Sequence, residues 1–183
     1  MKSLKGFSRL ELASIIAEEL RSKGIDVVLS GGSCVSIYSS EKYVSKDLDF
    51  IDISLKSNRQ IAAAIRSLGF ENRPKNSRHF VHPDTKLTVE FPAAPLTVGD
   101  EFIPANAVHS ISTEQGTLKL LTPTDCVKDR LANYYYFRDN QCFDQAILVA
   151  KSHPIDLDSI EVWHANEKQQ KGYQEFLKRL RTS

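Results

Sequence analysis

Leu29-Ser30-Gly31-Gly32-Ser33 and, beyond positions 34 to 46, Asp47-Leu48-Asp49-Phe50 are the two stretches on which the fold turns. Asp26 to Ser30 (DVVLS) is a β-branched run that stops at paired glycines, so it reads as a strand running into a tight turn, with a short helix expected over 33–39. Leu48 to Ser54 (LDFIDIS) reads as a second strand. Side chains alternate along an extended chain, so Asp47 and Asp49 share one face about 7 Å apart while Leu48 and Phe50 enter the core. Half-exposed strands show the same alternation against water. Two carboxylates on one face of an apolar strand repel, however, and an oxygen-rich pocket of this kind suits Mg²⁺ or Mn²⁺.

Working outward, Ser8-Arg9-Leu10-Glu11 has the form of a capping box, and Leu12, Ile15, Ile16 and Leu20 follow at helical spacing until Gly24. Ser57 to Leu68 carries Ile61, Ala64, Ile65 and Leu68 on one stripe and is expected to be a crossover helix. Lys86 to Phe91 (KLTVEF) is a third strand, and the Pro-rich stretch 92–104 is a loop with an edge segment at Glu101 to Ile103. Glu114-Gln115-Gly116 between Val108–Thr113 and Thr117–Leu121 signals a hairpin. Residues 1–121 are therefore expected to form an α+β core, a mixed sheet flanked by helices. At Thr122-Pro123-Thr124-Asp125 the pattern becomes that of a capped helix start, and residues 122–183 are expected to be a C-terminal helical bundle whose last helix opens at Asp156 or Asp158 and ends near Arg181.

Composition sets the outer limits. With 183 residues, 41% of them hydrophobic and 26% charged, the chain falls in the range of ordinary globular domains. Twenty-four Lys and Arg against 23 Asp and Glu leave +1, so no overall attraction to a nucleic acid backbone or an acidic membrane is written into it. No apolar run approaches the roughly 20 residues of a membrane span, and the first residues lack an apolar stretch of about 7 to 15, so the protein is expected to be cytoplasmic and without a membrane partner. Cys34, Cys126 and Cys142 show neither paired spacing nor an even number and read as small buried hydrophobes.

Glu90, flanked by Val89 and Phe91, repeats the oddity of an acid inside a strand, and would complete a three-carboxylate cluster if the strands are neighbours. Two divalent ions about 4 Å apart on three acids would activate an attacking hydroxyl and stabilise a leaving pyrophosphate. Gly31-Gly32-Ser33, after a strand and before a helix, would let free backbone N–H groups hold a phosphate.

These residues resemble the DNA polymerase β-type nucleotidyltransferase superfamily, whose signature is a hydrophobic residue before Gly-Gly/Ser, a gap of this length, an alternating Asp pair and a distant acid between hydrophobics. Within it the chain is similar to small bacterial nucleotidyltransferase-like proteins related to abortive-infection and toxin-antitoxin transferases. Thr122-Pro123-Thr124-Asp125, Arg130 and Arg138-Asp139 match their usual continuation, with Arg130 where Lys is common. The resemblance implies that Asp47, Asp49 and Glu90 are catalytic and bind two Mg²⁺ or Mn²⁺ ions. It implies that Gly31, Gly32 and Ser33, with Arg130 and Arg138, hold a nucleoside triphosphate such as ATP. The implied reaction moves a nucleoside monophosphate to a hydroxyl of unidentified origin, in tRNA, a protein or a small molecule. A silent nucleotide- or partner-binding protein of the same fold, or a toxin-antitoxin component acting with a protein partner, is the alternative.

Other residues carry weaker signals. Lys46, next to Asp47 but on the other parity, reads as a solvated lysine, and Asp52 as a strand-end residue. Arg138 and Asp139 either pair in a loop or meet ligand phosphates. The run Tyr134-Tyr135-Tyr136-Phe137 is expected to pack between the halves, with base stacking as the other reading. His79 and His82, three apart beside Arg78, have no third ligand in sequence reach and are not expected to form a metal site. The basic C-terminal tail reads as a solvated helix end.

Overall fold

The glycine pair does not form a loop before a helix: it is the first turn of the helix itself. The computed structural model describes residues 3–72 and 78–182. In chain order, α1 (Arg9–Ser22) is followed by β1 (Val27–Ser30), α2 (Gly31–Tyr38), β2 (Asp47–Asp52), α3 (Asn58–Arg66), β3 (Glu71–Asn72), β4 (His79–Val81) and β5 (Thr88–Glu90). Then come β6 (Thr97–Val98), β7 (Glu101–Phe102), β8 (His109–Thr113), β9 (Gly116–Leu120), α4 (Pro123–Phe137), α5 (Asn140–Ser152), α6 (Leu157–Asn166) and α7 (Gln170–Thr182).

Seven strands make one mixed sheet in the order β3-β4-β5-β2-β1-β9-β8, while β6 and β7 pair as a separate ribbon. The architecture is α+β, as the sequence pattern implies. β2 runs antiparallel to β1 and parallel to β5, the connection passing through α3, β3 and β4. The third strand is shorter than expected, and β3 and β4, unforeseen, extend the sheet beyond it. The edge segment at Glu101 pairs with β6 rather than with the main sheet.

Local chemistry accounts for the element ends. The Ser8 hydroxyl accepts from the Glu11 amide while Glu11 accepts from the Ser8 amide, a closed capping box, and Ser57 and Gln60 repeat it at α3. Thr122 caps α4 with Pro123 in its first turn. The expected single C-terminal helix is two, because Lys168 takes φ +58 after α6 and turns the chain back. The left-handed conformation at a lysine leaves no glycine signal to read.

A continuous hydrophobic core joins the sheet to the helices. Val28, Leu29, Leu48 and Phe50 are fully buried and cluster with Val127, Leu131, Ala146, Trp163 and Phe176 from the C-terminal helices. Burying a Leu or Phe of this kind contributes on the order of 2 kcal/mol. The inward face of β2 is thereby locked, and its other face is held outward with it. Trp163 also donates its Nε1–H to the Val98 carbonyl at 3.0 Å, tying α6 to the small ribbon. Among the described residues, no helix is long and apolar enough to cross a membrane.

Candidate active site

Strand register builds the site. Ser30 on β1 lies opposite Asp49 on β2, Asp49 opposite Glu90 on β5, and Glu90 opposite His79 on β4. Paired residues on adjacent strands present side chains to the same face, so His79, Glu90, Asp49 and Ser30 form one row across four strands. Asp47 starts the next row beside Thr88, whose hydroxyl donates to Asp47 Oδ1. Donor atoms of Asp47, His79 and Glu90 all lie within 4.8 Å of one another. His79 Nε2 sits 2.6 Å from Glu90 Oε1, with the two side chains 17% and 31% exposed. The expectation that His79 stands apart from any metal site is thus corrected: β4 delivers it to the acids. His82 does stand apart, buried against Phe70 with Nδ1 accepting from the Asp84 amide.

Asp49 lies outside that tight group but feels it. Burial first, then the charges of Glu90 and Asp47, push its carboxyl up to about 7, against the opposing pull of Arg130. Acids so arranged are costly to ionise together, and a divalent cation removes the cost. The donor set therefore fits a metal centre of the kind the residues suggested.

The glycine turn lies directly against Asp49. Gly31 has φ +68, and a Cβ on it would overlap Asp49 Oδ2. Only glycine meets both demands. On Gly32 a Cβ would stand 3.1 Å from Ser45 Oγ. Because α2 starts at Gly31, the amides of Gly31, Gly32 and Ser33 belong to its first turn and have no intrahelical acceptor. The Ser33 hydroxyl, in contrast, turns away: it is fully buried, donates to the Asp47 carbonyl and accepts from Arg9 Nη1 at 3.0 Å. The side chain thus supports the start of α2, and the backbone amide is the Ser33 group left to meet a ligand. Arg9 also donates to the Ser45 carbonyl at 2.8 Å and pairs with Glu41 at 3.0 Å, fixing the start of α2 to the approach to β2.

Opposite the sheet, α4 presents Asp129, Arg130 and Asn133 to a cleft of about 410 Å³ that is otherwise lined by Ser30, Gly31, Asp49, Ile51 and the loop Pro92 to Thr97. That size suits a small-molecule ligand. Arg130 is anchored by Asp129 at 2.6 Å and reaches Gln145 Oε1 at 3.4 Å. Arg138 is not brought in: it is the exposed C-cap of α4, about 12 Å further along the helix by its rise per residue, and does not line the cleft. Asp139 caps α5 through the Gln141 amide. Lys46 is exposed, and Asp52 accepts from the amides of Ser54 and Lys56, both as read. Tyr134 and Tyr135 pack on Phe143 and Trp163, while Phe137 is 76% exposed. Lys128, one turn before Ala132, carries a buried ammonium that the sequence reading did not single out; it meets Glu101 at 2.9 Å and Asp125 at 3.7 Å.

No family model matches the chain, and no curated protein matches its sequence significantly. Its fold is similar to solved nucleotidyltransferase structures. The solution structure of the antibiotic-resistance factor ANT(2'')-Ia superposes with a TM-score of 0.58 at 12% identity, over 93% of this chain and 96% of that one. An antigenic nucleotidyltransferase-like protein from Paracoccidioides brasiliensis gives 0.55 at 14% identity, over 81% and 78%. ANT(2'')-Ia in complex with adenylyl-2''-tobramycin gives 0.52 at 11%, over 93% and 97%. At such identities the likeness is one of fold.

Proposed function

We propose that this protein is a metal-dependent nucleotidyltransferase, moving a nucleoside monophosphate from a nucleoside triphosphate to an acceptor hydroxyl and releasing pyrophosphate. The observation that carries the reading is the register that sets Asp49 beside Glu90 on two parallel neighbouring strands, with Asp47 and Glu90 donor atoms within 4.8 Å and Asp49 directly against Gly31 in the first turn of α2. Nothing in packing requires acids to face one another there, whereas the chemistry does.

The chain's own residues divide the work. The amides of Gly31, Gly32 and Ser33 donate to the terminal phosphates at a helix N-terminus whose partial positive charge favours them. Arg130, already oriented by Asp129, closes the opposite side of the cleft and offsets charge on the triphosphate. Asp47, Asp49 and Glu90 would hold two Mg²⁺ or Mn²⁺ ions, with Glu90 beside the attacking hydroxyl. Bound there, such ions supply Lewis-acid stabilisation of the α-phosphate and make the acceptor hydroxyl easier to deprotonate. The acceptor hydroxyl gives up its proton to solvent as its oxygen bonds to the α-phosphorus, the bond from that phosphorus to the bridging oxygen breaks, and pyrophosphate leaves in line. The adenylylated tobramycin held by a structural neighbour supports ATP as donor and a small-molecule hydroxyl as one acceptor class, beside an RNA end or a protein side chain.

The test is incubation with each α-labelled triphosphate, Mg²⁺ or Mn²⁺, and cell extract separated afterwards into RNA, protein and small-molecule fractions. Labelled acceptor with the wild type and none with Asp49→Asn is the expected result. Equal labelling by both would overturn the assignment.

A further inference from the structure

We propose that His79 is itself a metal ligand, so that one cation seat of this site is made of an imidazole nitrogen with the carboxylates of Asp47 and Glu90, and takes Mn²⁺ in preference to Mg²⁺. The inference rests on the metal site of the proposed function and adds to it the identity of a ligand and of the ion.

Three observations carry it. The donor atoms of Asp47, His79 and Glu90 lie mutually within 4.8 Å. Donors on a single ion at roughly 2.1 Å stand about 3 to 4.2 Å apart, so side-chain adjustments on the order of 1 Å close the set. Second, His79 is placed by backbone register rather than by a free rotamer: β4 pairs antiparallel with β5, putting His79 opposite Glu90, while buried Phe80 on the same strand is opposite Val89 in the core. Third, the nitrogen that faces the acids is Nε2, 2.6 Å from Glu90 Oε1, the ring atom best placed to exchange a hydrogen bond for an ion.

Ligand chemistry then selects the ion. Mg²⁺ demands oxygen donors and keeps its waters, whereas an imidazole raises affinity for first-row transition ions and leaves Mg²⁺ almost indifferent. A pure carboxylate trio would not discriminate in this way. The same nitrogen explains why β4 matters to the site at all, since a sheet ending at β5 would leave Glu90 at an open edge.

The experiment uses the full chain and MnCl₂ alone. Electron spin-echo envelope modulation of bound Mn²⁺ should show coupling to a directly bound ¹⁴N, and the coupling should vanish in His79→Gln. Titration followed by room-temperature electron paramagnetic resonance should show Mn²⁺ bound about 10-fold or more weakly by His79→Gln, while Mg²⁺ affinity, read by competition, changes less than about threefold. The modulation of the wild type decides the question even if the variant folds poorly, and His79→Asn supplies a second substitution. Bound Mn²⁺ without nitrogen coupling, or equal weakening of both ions, would overturn the inference and make His79 a positioning residue for Glu90, with the nucleotidyltransferase reading intact. Failure of the wild type to bind either ion would overturn both.

Discussion

Two clusters of charge, one around the fully buried Lys128 and one half-buried at the acids of β2 and β5, are built in opposite senses. Around Lys128 an ammonium with a side chain 2% exposed is met by Glu101 at 2.9 Å and Asp125 at 3.7 Å, so the charge is answered where it sits and α4 is pinned to β7. At the head of β2 three acids stand together, with His79 beside Glu90 and Arg130 opposite Asp49 offsetting them in part, and burial together with Glu90 and Asp47 pushes the Asp49 carboxyl up to about 7. A closed ion pair holds the fold, and removing a member should loosen it. An open set of like charges works against the fold, so removing a member should relieve it and cost only chemistry.

The largest expected effect breaks the comparison at its functional end. Asp49→Asn should slow pyrophosphate release about 10³-fold or more, roughly 4 kcal/mol in the barrier, while urea unfolding at pH 8 without divalent ions shows unchanged or higher stability. A variant that kept its rate but unfolded more easily would show Asp49 to be structural. At the other cluster, Lys128→Met should lower unfolding free energy by about 3 kcal/mol, because two carboxylates are left without their cation, and adding Glu101→Gln should recover part of the loss. A loss below about 1 kcal/mol would remove the distinction between the two clusters.

A third measurement sharpens the same contrast through pH. Asp49 has a folded value near 7 against an ordinary value of 3.8, so between these the folded chain keeps a proton that the unfolded chain has released. Below the lower value both states are protonated and the full contribution is present. Stability of the metal-free protein should therefore fall as pH rises, by about 2 kcal/mol between pH 5 and 7. Glu90, Asp47 and Asp129 push in this direction and Arg130 opposes it. Asp49→Asn should flatten the profile, and saturating Mn²⁺ should raise the melting temperature more at pH 7.5 than at pH 5. A profile that rises over this window in the wild type alone would contradict the arrangement.

How much of this was legible in the sequence follows from the range of each interaction. Alternation in Asp47-Leu48-Asp49-Phe50, the caps at Ser8 and Thr122 and the Gly116 hairpin are set within a few residues, and the structure repeats them. Glu90 stood out as an acid between two core residues, and its approach to Asp49 needed only that β2 and β5 be neighbours. His79 was not legible as part of the site, because three residues of strand carry little pattern and its partner is chosen by register with β5. The inward turn of Ser33 is decided by Arg9 on another helix, and the burial of Lys128 by Glu101 on the small ribbon. Arg138 matched a motif, but helix α4 carries it past the end of the cleft.

The smallest effect concerns Arg130, which belongs to both kinds of cluster. It is held by Asp129 through two contacts to Oδ2, at 2.6 and 2.9 Å, and leans on Gln145, yet it also faces Asp49 closely enough to oppose the rise of its carboxyl. A lysine would keep the charge but not the fork, so it could satisfy Asp129 or reach into the cleft, not both. Arg130→Lys should therefore raise KM for the triphosphate about fivefold, near 1 kcal/mol, with kcat changed less than about twofold and little loss of stability. Steady-state pyrophosphate release over a range of triphosphate concentrations separates the two constants. A fall in kcat with KM unchanged would place Arg130 on the charge that develops during transfer; a fall in melting temperature alone would return it to the structural side, with Lys128.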